Sequence, residues 1–152
     1  MLFSILKWIH ILAAIIAVGA NATYGIWLAR ASRSADFLPF TLRTIKLIDD
    51  RIANPAYASQ LITGLLMAFI LPLPLTTPWL LTALILYAIL VLVGLGGYTP
   101  TLRRQIQLLD REGFRSPNYQ ALARRGTLLG IILAVLAIAI VFLMVVKPAL
   151  WA

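Results

Sequence analysis

Three stretches without a charged side chain govern what this chain can become. The first lies between Lys7 and Arg30 and holds 22 residues. The second, between Arg51 and Arg103, holds 51, and the third, between Arg125 and Lys147, holds 21. A helix needs about 20 apolar residues to cross a hydrocarbon core. Backbone groups in lipid must find their hydrogen bonds within the protein, which favours helices. The 51-residue run is long enough for two crossings, and Pro72, Pro74 and Pro78 in "LPLPLTTPW" divide it. The pattern predicts four spans, at 4–30, 55–72, 78–98 and 124–147. Charged residues make up 12% of the 152, about half the share of a soluble domain. The expected fold class is therefore an all-α membrane protein, a four-transmembrane-helix bundle forming one transmembrane domain over 1–152.

The remaining charges predict a topology. The segment at 31–54 carries Arg33, Arg43, Lys46 and Arg51, and Arg30 sits at its edge. The segment before the last span carries Arg103, Arg104, Arg111, Arg115, Arg124 and Arg125, whereas 73–77 carries no charge. Lysine and arginine accumulate on the cytoplasmic side of membrane proteins. Both basic linkers are expected in the cytoplasm, with both termini and the proline-rich turn outside, in a bacterial inner (plasma) membrane. The net charge of +8 belongs to these flanks, so the expected partner is the lipid bilayer and not nucleic acid. The chain has no cysteine, which excludes disulfides, zinc–thiolate and iron–sulfur sites. Lys7, the apolar stretch after it and "ANA" at 20–22 resemble a signal peptide. The uncharged run nevertheless continues to Arg30, so an uncleaved first span is expected.

The halves read as copies. "TLRTIKLIDDR" at 41–51 aligns with "TLRRQIQLLDR" at 101–111, and "NPAY" at 54–57 is followed later by "SPNY" at 116–119. Asn54 and Ser116 are expected N-caps, with Pro55 and Pro117 at the first helical position. The predicted unit is span, linker helix, span, used twice as parallel repeats over 1–73 and 74–152. Leu42, Ile45 and Ile48 make an apolar stripe, as do Leu102, Ile106 and Leu109, with basic residues opposite. These basic amphipathic linker helices are expected to rest in the headgroup layer, with docking on a partner as the alternative.

Polar residues in the spans follow helical spacing. Lys7, His10, Ala14, Ala17, Asn21 and Tyr24 recur at 3, 4, 3, 4, 3 and share one face. Tyr57, Gln60, Gly64 and Met67 do so in the second span, and Gly126 through Met144 in the fourth. Such faces turn inward in lipid. At about 1.5 Å per residue, His10 lies roughly 30 Å from the level of Arg30. By the same rise Met67 lies roughly 24 Å above Arg51, and Met144 roughly 28 Å above Arg125. His10, Met67 and Met144 are thus expected at one outer level, and Asn21, Tyr24, Tyr57 and Gln60 in a second polar layer nearer the cytoplasm.

His10 is the only histidine, and its readings stay open. It can be a structural imidazole bonded to a neighbour or water, a haem ligand with methionine opposite, a copper(I) ligand with thioethers, or a proton relay. One histidine cannot supply two imidazoles within a chain, so bis-histidine haem requires a homodimer. Lys7 either snorkels to the interface or pairs with a haem propionate or anionic substrate. The candidate cofactor residues are His10, Lys7, Met67 and Met144, and the candidate metal ligands His10, Met67 and Met144. No span holds a carboxylate, and there is no phosphate-binding glycine motif, so no catalytic residue is assigned. Asp49–Asp50–Arg51 and Asp110–Arg111–Glu112 read as solvated ion-pairing faces. The alternatives to a cofactor protein are a cofactor-free structural or accessory membrane protein and a transporter of a small solute or copper.

"LKWIHILAAIIAVGAN", "LRTIKLIDDRIANPAY" and "YTPTLRR" resemble an uncharacterised bacterial family of small integral membrane proteins. That family is distantly similar to copper-resistance protein D and to HemJ-type protoporphyrinogen oxidase. The shared setting is a histidine early in a span, followed by glycine, here His10 and Gly19. The resemblance to the oxidase implies b-type haem, and that to the copper protein implies copper passage.

Overall fold

The computed structural model describes residues 1–34 and 36–150. Every regular element among them is helical. The order is α1 (Leu2–Ala31), α2 (Phe37–Ile48), α3 (Asn54–Ile70), α4 (Pro78–Val93), α5 (Thr99–Glu112) and α6 (Pro117–Val146). Two five-residue π turns, Asp49–Ala53 and Gly94–Tyr98, join α2 to α3 and α4 to α5 without a break.

Proline explains both π turns. A proline inside a helix lacks the N–H donor, and its ring collides with the carbonyl four residues back. Pro55 and Pro100 each stand two residues after a π turn. Just before each, the backbone bonds over five residues, Asn54 N–H to Asp49 C=O and Thr99 N–H to Gly94 C=O. The wider turn relieves the crowding, and the chain continues as one bent rod. Asn54 is therefore no N-cap, contrary to expectation; it lies inside a continuous helix and its amide turns to Asp49. Ser116 does cap α6, accepting from the Tyr119 N–H, with Pro117 at the first position.

The long helices form an open arc in the order α3, α1, α6, α4. α1 packs closely on α3 through Ala13, Ala17 and Ala56, small residues that let backbones approach. α4 packs on α6 around Leu90, Ala137 and Ile140, and Val18 of α1 reaches that cluster. The backbones of α3 and α4, joined by 71–77, do not approach closely, and only side chains such as Tyr57 and Tyr87 bridge them. At the other end α2 and α5 lie side by side. Leu42, Ile45 and Leu102 are the largest side chains fully buried there. The linker stripes thus face protein, with Leu109 also buried, and do not rest on the membrane as expected. An apolar stripe carries no label for what covers it, since hydrophobic burial is non-directional.

Among the described residues, three helices are long and apolar enough to cross a membrane: α1, the continuous rod Pro78–Glu112, and α6. α3 has 17 residues and falls short of the expected fourth. α1 exposes Ile15 and Ile26 and buries Ala17 and Tyr24. Trp8 and Trp27, 64% and 57% exposed, lie about 28 Å apart along α1 by the helical rise. That separation matches the roughly 30 Å hydrocarbon core, and indoles are enriched at the two boundaries of such a core. Lys147 adopts a left-handed conformation and Pro148 follows, which ends α6.

Candidate functional site

The mouth of the arc, at the 71–77 end, holds a half-open cavity of about 470 Å³. This lies within the range of small-ligand pockets, about 300–1,000 Å³. All four long helices contribute. α1 brings Lys7 and His10, α3 brings Gln60, Gly64 and Met67, α4 brings Trp79 and Tyr87, and α6 brings Met144, with Lys147 just beyond it. His10, Lys7, Met67 and Met144, three separate sequence stretches, thus line one space. Lys147 Nζ stands 5.2 Å from the centre of the Trp79 ring, a cation–π arrangement. Among the described residues no carboxylate lines the cavity.

His10 is held from one side. Its Nδ1 lies 3.0 Å from Thr63 Oγ1. The Thr63 hydroxyl donates to the Ser59 carbonyl at 2.7 Å. A hydroxyl has one proton; with it on the shorter contact, to Ser59, Thr63 accepts from the imidazole. In that arrangement Nδ1 carries the proton and Nε2 keeps its lone pair, and the Gln60 backbone also bonds the ring. The ring packs against α3 where that helix has no side chain: a Cβ on Gly64 would stand 3.1 Å from His10 Cε1. The sequence spacing singled out Gly64 but passed over Thr63, although Thr63 lies three residues from Gln60 and four from Met67, on the same flank of α3.

Below the cavity, the expected polar layer is divided. Asn21 Nδ2 donates to the Tyr57 hydroxyl at 2.7 Å and to the Ala17 carbonyl at 3.0 Å. The Tyr87 hydroxyl crosses from α4 to donate to the Tyr57 carbonyl of α3 at 2.6 Å. Gln60 opens instead on the cavity. Tyr24 lies deeper, in the core with Tyr98, Leu42 and Leu102.

The model of one protein family matches residues 4–148; its description is predicted integral membrane protein (DUF2269). No curated protein and no solved structure matches the chain.

Proposed function

The chain belongs to the DUF2269 family of predicted integral membrane proteins, and from that premise we propose that it holds a b-type haem in the cavity around His10. His10, through Nε2, and Met67 or Met144 are the residues that would hold its iron. The observation that carries this reading is the commitment of Nδ1 to Thr63, which leaves a neutral imidazole with a free lone pair. Metal-bound histidines are held in this way by their second nitrogen. Charge separates haem from copper. Lys7 and Lys147 line a cavity without a carboxylate, which repels a bare cation and suits the propionates of haem. A bound haem supplies one-electron chemistry at its iron, tuned by the axial ligands.

The setting we propose is a four-span bundle in a bacterial inner membrane. α3 supplies the fourth crossing. Thr41, Leu42 and Ile45 are buried like their counterparts Thr101, Leu102 and Gln105, which supports the two repeats. The basic linkers lie in the cytoplasm, and the cavity and both termini lie outside.

The test is the visible spectrum of detergent-purified protein from haem-replete cells. A Soret band that vanishes in His10→Ala is expected, with a shifted band in Met67→Leu or Met144→Leu. A protein that stays colourless on titration with haem overturns the reading. A spectrum unchanged in both methionine variants replaces methionine by His10 of a second copy, the homodimer form.

A further inference from the structure

Asp49 belongs to the first π turn, at the end of the bundle opposite the cavity, and is only 5% exposed. A solvated face was expected there. The π turn adds a residue to the helical turn and carries the side chain inward. Its Oδ2 meets Asn54 Nδ2 and Thr99 Oγ1, each at 3.5 Å, the outer limit of a hydrogen bond. Among the described residues no basic side chain pairs with it: Lys46 pairs with Asp50, and Arg43 with Asp110. Burial pushes the Asp49 carboxyl above its usual range, and the neighbouring Asp50 adds to this; Lys46, Thr99 and Asn54 act the other way. A buried charge without a partner is costly to fold around.

A second group nearby is unsatisfied. The Tyr24 hydroxyl is buried and has no partner among the described residues, in a side chain 4% exposed. α1 packs on the first π turn, and Tyr24 shares its core with Tyr98 of the second. Asp49 meets the Thr99 hydroxyl and the Asn54 amide, whose oxygen and nitrogen exchange places by a flip, and Tyr24 and Tyr98 bring two more hydroxyls to the adjoining core. Pro55 and Pro100 also each leave a carbonyl one turn upstream without its helical donor. Oxygen ligands about 2.4 Å from a hard cation and at right angles stand about 3.4 Å apart. Asp49 keeps nearly that separation from both Asn54 and Thr99.

We propose that Asp49, Thr99, Asn54 and Tyr24 form a binding site for a monovalent hard cation, of which sodium is the type. Valence follows from charge. One carboxylate balances one positive charge, whereas a divalent ion leaves an excess in the interior. Class follows from the donors: oxygen ligands without imidazole or sulfur suit hard cations and not soft transition metals. Bound there, the ion ties α1 to both π turns.

The test is thermal unfolding of the full chain in detergent, with sodium chloride exchanged for choline chloride at constant ionic strength. Sodium is expected to raise Tm saturably. Tyr24→Phe and Thr99→Val are expected to raise the half-saturating sodium concentration about tenfold. Asp49→Asn abolishes the response, and Asp50→Asn keeps it. If Asp49→Asn does not fold, the Tyr24 and Thr99 variants decide. Equal Tm in sodium and choline overturns the site. So does a sodium response that Tyr24→Phe and Thr99→Val leave unmoved, or stabilisation by acid with no sodium dependence, which marks Asp49 as simply protonated.

Discussion

Thr63 determines which nitrogen of His10 keeps a lone pair. Its own proton goes to the Ser59 carbonyl, so it receives the Nδ1 proton at 3.0 Å. Thr63→Val keeps the shape and removes the acceptor. Haem affinity is expected to fall about 10- to 100-fold, as it does when such supporting partners are lost. Thr63→Ser restores it. Haem titration of the purified variants measures this, and equal affinity in all three rejects the tautomer assignment.

Gly64→Ala sets two effects against each other. Alanine in a helix is favoured over glycine by about 0.8–1.0 kcal/mol. The added Cβ, however, meets His10 Cε1 at 3.1 Å, and overpacking costs typically about 1–3 kcal/mol. The clash wins where the ring cannot move, so Tm and haem retention both drop. Gly19→Ala, with no atom within 4 Å of the new Cβ, is expected to be neutral or stabilising. Comparable Tm values for the two variants contradict the close packing of the ring on α3.

Arg43 Nη2 reaches both carboxylate oxygens of Asp110, at 2.8 and 3.0 Å, and so links α2 to α5. The side chains are 60% and 46% exposed, so water and salt screen them. Arg43→Gln is expected to cost only about 0.2–1 kcal/mol. The exchange Arg43→Asp with Asp110→Arg recovers part of the loss, and high salt shrinks the difference. Denaturant titration at two ionic strengths measures both.

Asp49 makes stability depend on pH in a stated direction. Its folded pKa is raised, so the native state keeps a proton that the unfolded chain has released. In sodium-free buffer, stability is present at the acid end. It is lost as pH climbs from the ordinary carboxylate range, near 3.8, through the raised folded value. The groups facing Asp49 are Asp50 and Lys46 beside it, Tyr24 of α1, Tyr57 of α3 and Tyr98 of the second π turn. Asp49→Asn removes this slope. A difference between wild type and variant that grows toward acid pH reverses the sign.

A cysteine at Thr76 tests the orientation, since the chain has no other. An impermeant thiol reagent is expected to label it from outside. Labelling only from the cytoplasmic side inverts the topology.

The sequence carried the helices because charge is so scarce: runs free of Arg, Lys, Asp and Glu coincide with α1, α6 and the pair flanking 71–77. Helical spacing also brought His10, Met67 and Met144 to one level, and they line one cavity. Two things were hidden. Pro55 read as a helix start, because a proline tolerated by a π turn looks the same in sequence as one at a first turn. That single extra residue turned Asp49 inward. Leu42 and Leu102 read as lipid-facing for a second reason: apolarity says that a face is covered, and the partner that covers it is a tertiary fact.

The open arc has a mechanical consequence. The helices are clasped at the end where Leu42, Ile45 and Leu102 interlock, and α3 and α4 stand apart at the end that holds His10. A clip behaves in this way, with its spring remote from its jaws. The gape available to whatever lies beside His10 is thus governed some tens of ångströms away, by residues that never touch it.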